Sequence, residues 1–388
     1  MDTFDANVHR ARIAKAQELM KQDGIAALLF TSEANVRYFT GYTSHRWAQP
    51  TSPQFGILAQ TGDPTLIVNS IEMDRAGSHP WLRSVRDGAP DFAKQVVAAI
   101  HDVGAANGRI AAELGSILRV CMPYKDFTRV HSLLPNAVFI DGSDLLWALR
   151  MIKLPGEVEL MQKACEITGN AIEDLYAASI PGKSEFELYT AMSQAVMKYG
   201  SHRLGLMPLG SRTPGEFHQA DSSLRMHTNR KIMAGDLVWV DAYAIVGGYW
   251  TDTLRMYSIG KAKSESKHAY ATVNECVEAT IGATRAGVSV QVVMEAFRKV
   301  INGSKYREFG SGRFRSSGLA HGIGLDLIEP PFINQIDQEF LQVGMVLTIE
   351  PFLYQPDVGF FMIEEQVLVT ERGCEVLSHR APSQLLEV

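Results

Sequence analysis

A chain of 388 residues is long for one domain and comfortable for two, and a hydrophobic content of 46% supplies enough apolar mass for a large core. The formal net charge of −6, with no basic run or aromatic–basic stripe, argues against a nucleic-acid partner. The charged, amphipathic start MDTFDANVHRARIAKAQELMKQ lacks the apolar core of a signal peptide, and no run approaches the ~18 apolar residues of a membrane span, so a cytoplasmic protein is expected.

Residues 6–23 space Val8, Ile13, Ala16, Leu19 and Met20 at helical intervals, and Gly24 is suited to cap the helix end. IAALLFT (25–31) reads as a buried strand. FGILAQ and TLIVN follow as strands, 91–104 as a helix, and RIAAEL and AVFI as further short strands. This alternation predicts a compact α/β domain up to about residue 142. Ser143 can cap a helix through DLLWALRMIK, Pro155 punctuates, and a long helix begins near Glu157. Ser184 and Glu187 form a capping-box pattern that opens another helix. Hairpin-like strands over 205–260, helices over 264–286 and 289–302, and a strand-rich end over 316–380 complete an α+β second half. The expected domains are 1–150 and 151–388, joined through LRMIKLPGEVELM. Cys121, Cys165, Cys276 and Cys374 lack CxxC spacing and read as four buried small hydrophobes in a reducing compartment.

The stretch DLVWVDAYAIVGGYWTDTLRM (236–256) sets two acids into apolar runs on either side of Gly247-Gly248. Folded about a turn centred between Val246 and Gly247, it places Asp241 opposite Asp252, about 5 Å apart, where two carboxylates destabilise a ladder. A cation between them would remove the conflict. GLAHGIGL places His321 among small residues, VLTIEP ends an apolar strand on Glu350, and FFMIEEQVLV carries Glu364 and Glu365 mid-strand. A hairpin centred on Asp357 would bring Glu350 and Glu364 together, while one of Glu364 and Glu365 must point away. A lone acid at a strand end is usually solvated, and a lone histidine in a glycine-rich loop usually makes only hydrogen bonds. Four acids embedded in apolar strands are costlier, at several kcal/mol each unless neutralised or coordinated. Asp241, Asp252, His321, Glu350 and Glu364 therefore read as ligands of two divalent ions, and oxygen donors with one imidazole suit Mn, Co, Fe or Zn.

These motifs resemble the pita-bread metallohydrolases, the family of methionine aminopeptidase, aminopeptidase P, prolidase and creatinase. SEANVRYFTGY (32–42) is similar to the start of the creatinase-type N-terminal domain, and LRMIKLPGEVELMQKA to that branch's interdomain junction. Asp241 and Asp252, His321 in AHGIGL, Glu350 in TIEP and Glu364 in MIEEQ match the family's five ligands. The resemblance implies an α/β creatinase-type domain followed by a pita-bread catalytic domain. It further implies two bound metals, a homodimer, and a small peptide substrate cleaved at an Xaa-Pro bond. It offers Glu350 as proton acceptor and Tyr354 in EPFLY as a match to a tyrosine of aminopeptidase P. Tyr38, Arg46 and Trp47 are candidates to close a site from the N-terminal domain.

The sequence also departs from the family pattern. Leu224, Ser317 and Ile328 stand where relatives place auxiliary histidines, and Met362 where they often carry arginine. His227 or His218 would have to substitute. These departures leave two further readings open. One is a non-peptidase amidohydrolase of creatinase or ectoine-hydrolase type, or a metal-dependent lyase. The other is a silent pita-bread binding protein.

Overall fold

The computed structural model describes residues 6–49, 51–79, 82–115, 117–217, 226–308, 318–334, 336–337 and 339–388. The chain divides into two compact units, Met1–Arg150 and Met151–Val388.

In the first unit, α1 (Ala6–Gln22) ends before Gly24, whose φ of 64 suits glycine. There follow β1 (Ala27–Phe30), α2 (Glu33–Thr40), β2 (Phe55–Ala59), β3 (Thr65–Val68), α3 (Met73–Gly77), β4 (Ser84–Asp87) and α4 (Phe92–Asp102). Then come β5 (Arg109–Ala112), α5 (Tyr124–Leu133), β6 (Val138–Asp141) and α6 (Ser143–Arg150). The strands make one mixed sheet in the order β4-β3-β2-β1-β5-β6, antiparallel at β1/β2 and β2/β3 and parallel elsewhere. Its inner strands are buried along their length, which explains their nearly unbroken apolar sequences. Leu29, Phe55, Ile57 and Ile110 pack beneath Val96 and Ile100 of α4 and Val130 of α5.

Among the helices of this unit that were not expected are α2 and α5. SEANVRYF has no long periodic pattern, but Ser32 caps α2 by accepting from the Asn35 amide. Buried Glu113 also accepts from the amides and hydroxyls of Thr31 and Ser32 and from Asn35 Nδ2. A carboxylate at a helix N-terminus satisfies donors that the helix cannot. The second, α5, has a single fully buried residue, Val130, and so leaves little periodic signal. Tyr38 corrects a further expectation. It is buried, its hydroxyl donates to the Leu149 carbonyl, and the Arg12 guanidinium lies 4.5 Å from its ring centre, so it is committed to this unit's interior. Arg46 and Trp47 lie half-buried in a short turn, His45–Ala48.

The second unit opens with α7 (Pro155–Ala178), where proline takes the first helical position, and α8 (Glu185–Lys198), whose Ser184–Glu187 capping box is complete. Next come β7 (Leu209–Arg212), β8 (Leu237–Ala242), β9 (Ile245–Val246), β10 (Tyr249–Trp250), β11 (Thr253–Ser258), α9 (Ser264–Ala283) and α10 (Val290–Gly303). The strand-rich end holds β12 (Ala320–Gly322), β13 (Glu329–Ile333), β14 (Val346–Ile349), β15 (Phe352–Gln355), β16 (Gly359–Met362), β17 (Glu365–Val369), β18 (Cys374–Val376) and β19 (Leu386–Glu387). Two sheets have the orders β19-β11-β8-β7 and β13-β12-β14-β17-β18; the ribbon β9–β10 lies in the chain between β8 and β11 of the first, and β15–β16 between β14 and β17 of the second. Trp239, Met256, Leu347 and Val367 from the strands share one core with Val277 of α9 and Phe297 of α10.

All four cysteines are free, but only Cys165 and Cys276 are buried; Cys374 is half-buried and Cys121 exposed, which corrects the expectation of four core residues. Among the described residues, no helix is long and apolar enough to cross a membrane.

Candidate metal centre

The β8–β11 hairpin carries the first two acids in a register that differs from the expected one. Val246 pairs Tyr249 and Ala242 pairs Thr253, so the turn is centred between Gly247 and Gly248. Both glycines have positive φ, 59 and 90, as a two-residue turn matching strand twist requires. Asp241 therefore lies opposite Leu254, with Asp252 on the diagonal. A two-residue displacement keeps strand parity, so both carboxylates still share one face. The second hairpin is centred on Asp357: Ile349 pairs Glu365, and Phe352 pairs Met362. Glu350 and Glu364 occupy the step between these two ladders.

Asp241, Asp252 and Glu364 converge, each offering an oxygen within 4.8 Å of the others. His321 Nε2 lies 3.3 Å from Asp252 Oδ2. Its Nδ1 is 2.9 Å from the Gly322 carbonyl, an acceptor to which only a protonated Nδ1 can donate, and this turns Nε2 toward the acids. Glu350 is close enough to His321, Asp252, Asp241 and Glu364 to interact with their charges, and unlike the other three acids it is partly exposed.

Burial, first, and the charge of Asp252, second, push the carboxyls of Asp241 and Glu364 well above the usual range. Burial raises Glu350 to about 7, against the opposing charge of His321. For His321, burial favours the neutral ring, yet its hydrogen bond to Asp252 and the charge of Glu350 outweigh burial and raise it to about 9.

Two buried carboxylate oxygens, Asp241 Oδ1 and Glu364 Oε2, have no hydrogen-bond partner among the described residues. Buried acceptors left without a donor are costly, and here the nearest groups are other acids. Four carboxylates and one correctly turned imidazole are the donor set of a hard or borderline divalent ion. The residues fit the metal that the sequence implied.

The neighbouring Glu365 points the other way, as alternation requires, but it is not solvated. It pairs with buried Arg255 at 3.1 Å and accepts from Ser378 Oγ and the Ala381 amide. That pair anchors the strand from behind.

Of the expected auxiliaries, Tyr354 donates from β15 to the Phe217 carbonyl at 3.4 Å. His227 stacks on Tyr189 of α8, with ring centres 4.0 Å apart. Ile328 is 54% exposed, while Met362 is packed in the core. His218, Leu224 and Ser317 lie outside the described residues.

Tyr243 was missed. Its hydroxyl donates to Asp241 Oδ2, and burial, followed by the charge of Asp241, holds the phenol well above its ordinary value. The available signal was its position two residues after Asp241, which puts it on the same face of an extended strand.

Comparison with known proteins gives the family. Residues 159–371 match the model of metallopeptidase family M24, and residues 12–152 the creatinase/prolidase N-terminal domain. The chain belongs to metallopeptidase family M24. It is 26% identical to the Xaa-Pro dipeptidase of Pyrococcus furiosus over 95% of this chain and 98% of that protein. The crystal structure of the X-Pro aminopeptidase of Thermotoga maritima superposes with a TM-score of 0.82 at 25% identity, covering 97% of this chain and 99% of the other. Dipeptidase PepE of Mycobacterium ulcerans gives 0.81 at 26%, covering 99% of each. This M24 chain is thus a peptide-bond hydrolase of a metal-dependent family with the pita-bread fold, preceded by a creatinase-type domain.

Proposed function

We propose that this M24 enzyme hydrolyses the Xaa-Pro bond of small peptides at a centre of two divalent ions held by Asp241, Asp252, His321, Glu350 and Glu364. The supporting observation is the convergence of buried Asp241, Asp252 and Glu364, with Asp241 Oδ1 and Glu364 Oε2 left without hydrogen-bond partners among the described residues. When bound, the ions would supply Lewis-acid charge and a water of lowered pKa. Asp252, 3.3 Å from His321 and within 4.8 Å of Asp241 and Glu364, would hold an ion together with them. Glu350, the one partly exposed acid of the four, accepts the water proton and returns it to the leaving nitrogen. Tyr354, four residues beyond Glu350, is assigned a hydrogen bond to the substrate. His227, whose Nδ1 has no hydrogen-bond partner among the described residues, is assigned the work of the absent auxiliary histidines. The P. furiosus and T. maritima relatives carry X-Pro names, which favours proline after the scissile bond.

We assign residues 1–150 to the creatinase-type domain and 151–388 to the catalytic domain, in a cytoplasmic homodimer with manganese, cobalt, zinc or iron. The test is a panel of Xaa-Pro dipeptides, longer peptides with proline second, dipeptides without proline, and cyclic or guanidino amides, run on metal-reconstituted protein. Turnover of Xaa-Pro substrates supports the proposal. Turnover of only the cyclic or guanidino amides refutes it in favour of the non-peptidase reading.

A further inference from the structure

We propose that Tyr243 is a positioning residue that fixes which oxygen of Asp241 meets the metal, anchoring Oδ2 and leaving Oδ1 to the ion. The inference rests on the ligand assignment above and goes beyond it, because no ligand motif includes this tyrosine.

The two oxygens of Asp241 differ. Oδ2 accepts the Tyr243 hydroxyl, while Oδ1 is buried and has no hydrogen-bond partner among the described residues. A carboxylate free to rotate presents either oxygen, or both, to a cation. One held by a hydrogen bond from a buried phenol presents a single oxygen in a fixed direction.

The ring that carries this hydroxyl is itself immobilised. Gly205 lies against it: a Cβ there would come within 2.9 Å of the Tyr243 Cβ and 3.0 Å of the Trp250 ring, so only glycine lets this backbone approach. Trp250 meets Tyr243 edge-on at 6.1 Å between centres. The indole is tied in turn to the segment that follows His321: Trp250 Nε1 donates to the Leu325 carbonyl at 3.1 Å, and its amide to the Gly324 carbonyl at 2.9 Å. A contact chain therefore runs from Asp241 through Tyr243 and Trp250 to the loop beside His321. Two ligands from separate strands are referenced to one aromatic pair, and misplacement of either is resisted by packing.

The test is Tyr243→Phe, which removes the hydroxyl and keeps the ring. Manganese binding to metal-stripped protein is followed by isothermal titration calorimetry and by electron paramagnetic resonance of the bound ion. Metal-free unfolding midpoints are measured in parallel. The expected result is an affinity weaker by about 10–100-fold, the usual scale for losing such an outer partner. The bound-ion spectrum changes as Asp241 rotates, while the metal-free midpoint stays at the parent value. Gly205→Ala, which pushes on the ring without touching the hydroxyl, weakens manganese binding in the same direction. If Tyr243→Phe binds manganese as tightly as the parent with the same spectrum, the inference falls while the ligand assignment stands. If affinity falls only in step with the metal-free midpoint, the tyrosine is structural and the inference falls as well. A parent protein that takes up no manganese overturns the ligand assignment itself.

Discussion

Glu364→Gln should make the metal-free protein more stable and the metal-loaded protein less so. Glu364 Oε2 is buried without a hydrogen-bond partner among the described residues, and the side chain offers an oxygen within 4.8 Å of two other carboxylates. At that distance and an effective dielectric of about 20, each like-charge pair costs about 3.5 kcal/mol. The raised carboxyls of Asp241 and Glu364 show that protons relieve part of this when no cation is present. A gain of about 2 kcal/mol therefore remains for an amide, which can also donate to Asp241 or Asp252. For a unit of this size that raises the unfolding midpoint by about 4–8 °C. Differential scanning calorimetry in a chelator and in saturating manganese reads both arms. The expected variant melts above the parent in chelator and gains little from manganese, whereas the parent gains strongly. A variant that melts lower in chelator yet keeps the full manganese gain would refute the idea that unneutralised charge dominates this cluster.

Other regions give independent expectations. His9 is held neutral, its pKa lowered to about 4 by burial first and by the Arg12, His79 and Arg10 charges after it. The unfolded chain protonates at about 6.5 and the folded one only near 4, so stability is full above pH 6.5 and declines as pH falls through this window, by about 3 kcal/mol. Urea titrations at pH 7 and pH 4.5 should show a smaller acid loss for His9→Leu than for the parent; equal losses would remove His9 from the account. Lys153 and Glu329 form a buried ion pair at 3.3 Å. Lys153→Met should cost about 3–5 kcal/mol in chemical denaturation because it strands a buried charge, and adding Glu329→Gln should recover most of that. A double variant no better than the single would contradict this cause. At Gly56 a Cβ would sit 1.9 Å from the Phe30 ring, so Gly56→Ala should lower stability of the first unit by about 1–3 kcal/mol in the same assay.

The acids that form the centre were legible because each interrupts an apolar strand, a cost a fold does not bear without return. The Asp357 hairpin could be centred by symmetry because its two ladders share one unbroken register. The Gly247-Gly248 hairpin was misplaced because the expected centre fell before the glycine pair, while the structure uses both glycines as the turn. Parity rescued the conclusion, since a two-residue slip leaves the face of Asp252 unchanged. Less of the site's support was readable. The reason Glu365 is buried is Arg255, more than a hundred residues away in sequence, and no local pattern announces that pairing. Tyr243 reads as an ordinary strand aromatic until Gly205 and Trp250 are seen to hold its ring. The α2 helix likewise depends on a distant carboxylate, Glu113, as much as on its own cap.

The account turns on cations neutralising the gathered carboxylates of the second unit. Anomalous diffraction from crystals grown in manganese tests this directly. The predicted result is two peaks among Asp241, Asp252, His321, Glu350 and Glu364, with Asp241 Oδ1 and Glu364 Oε2 among the atoms about 2.0–2.6 Å from an ion. Well-ordered side chains with no peak among them at saturating manganese would contradict it.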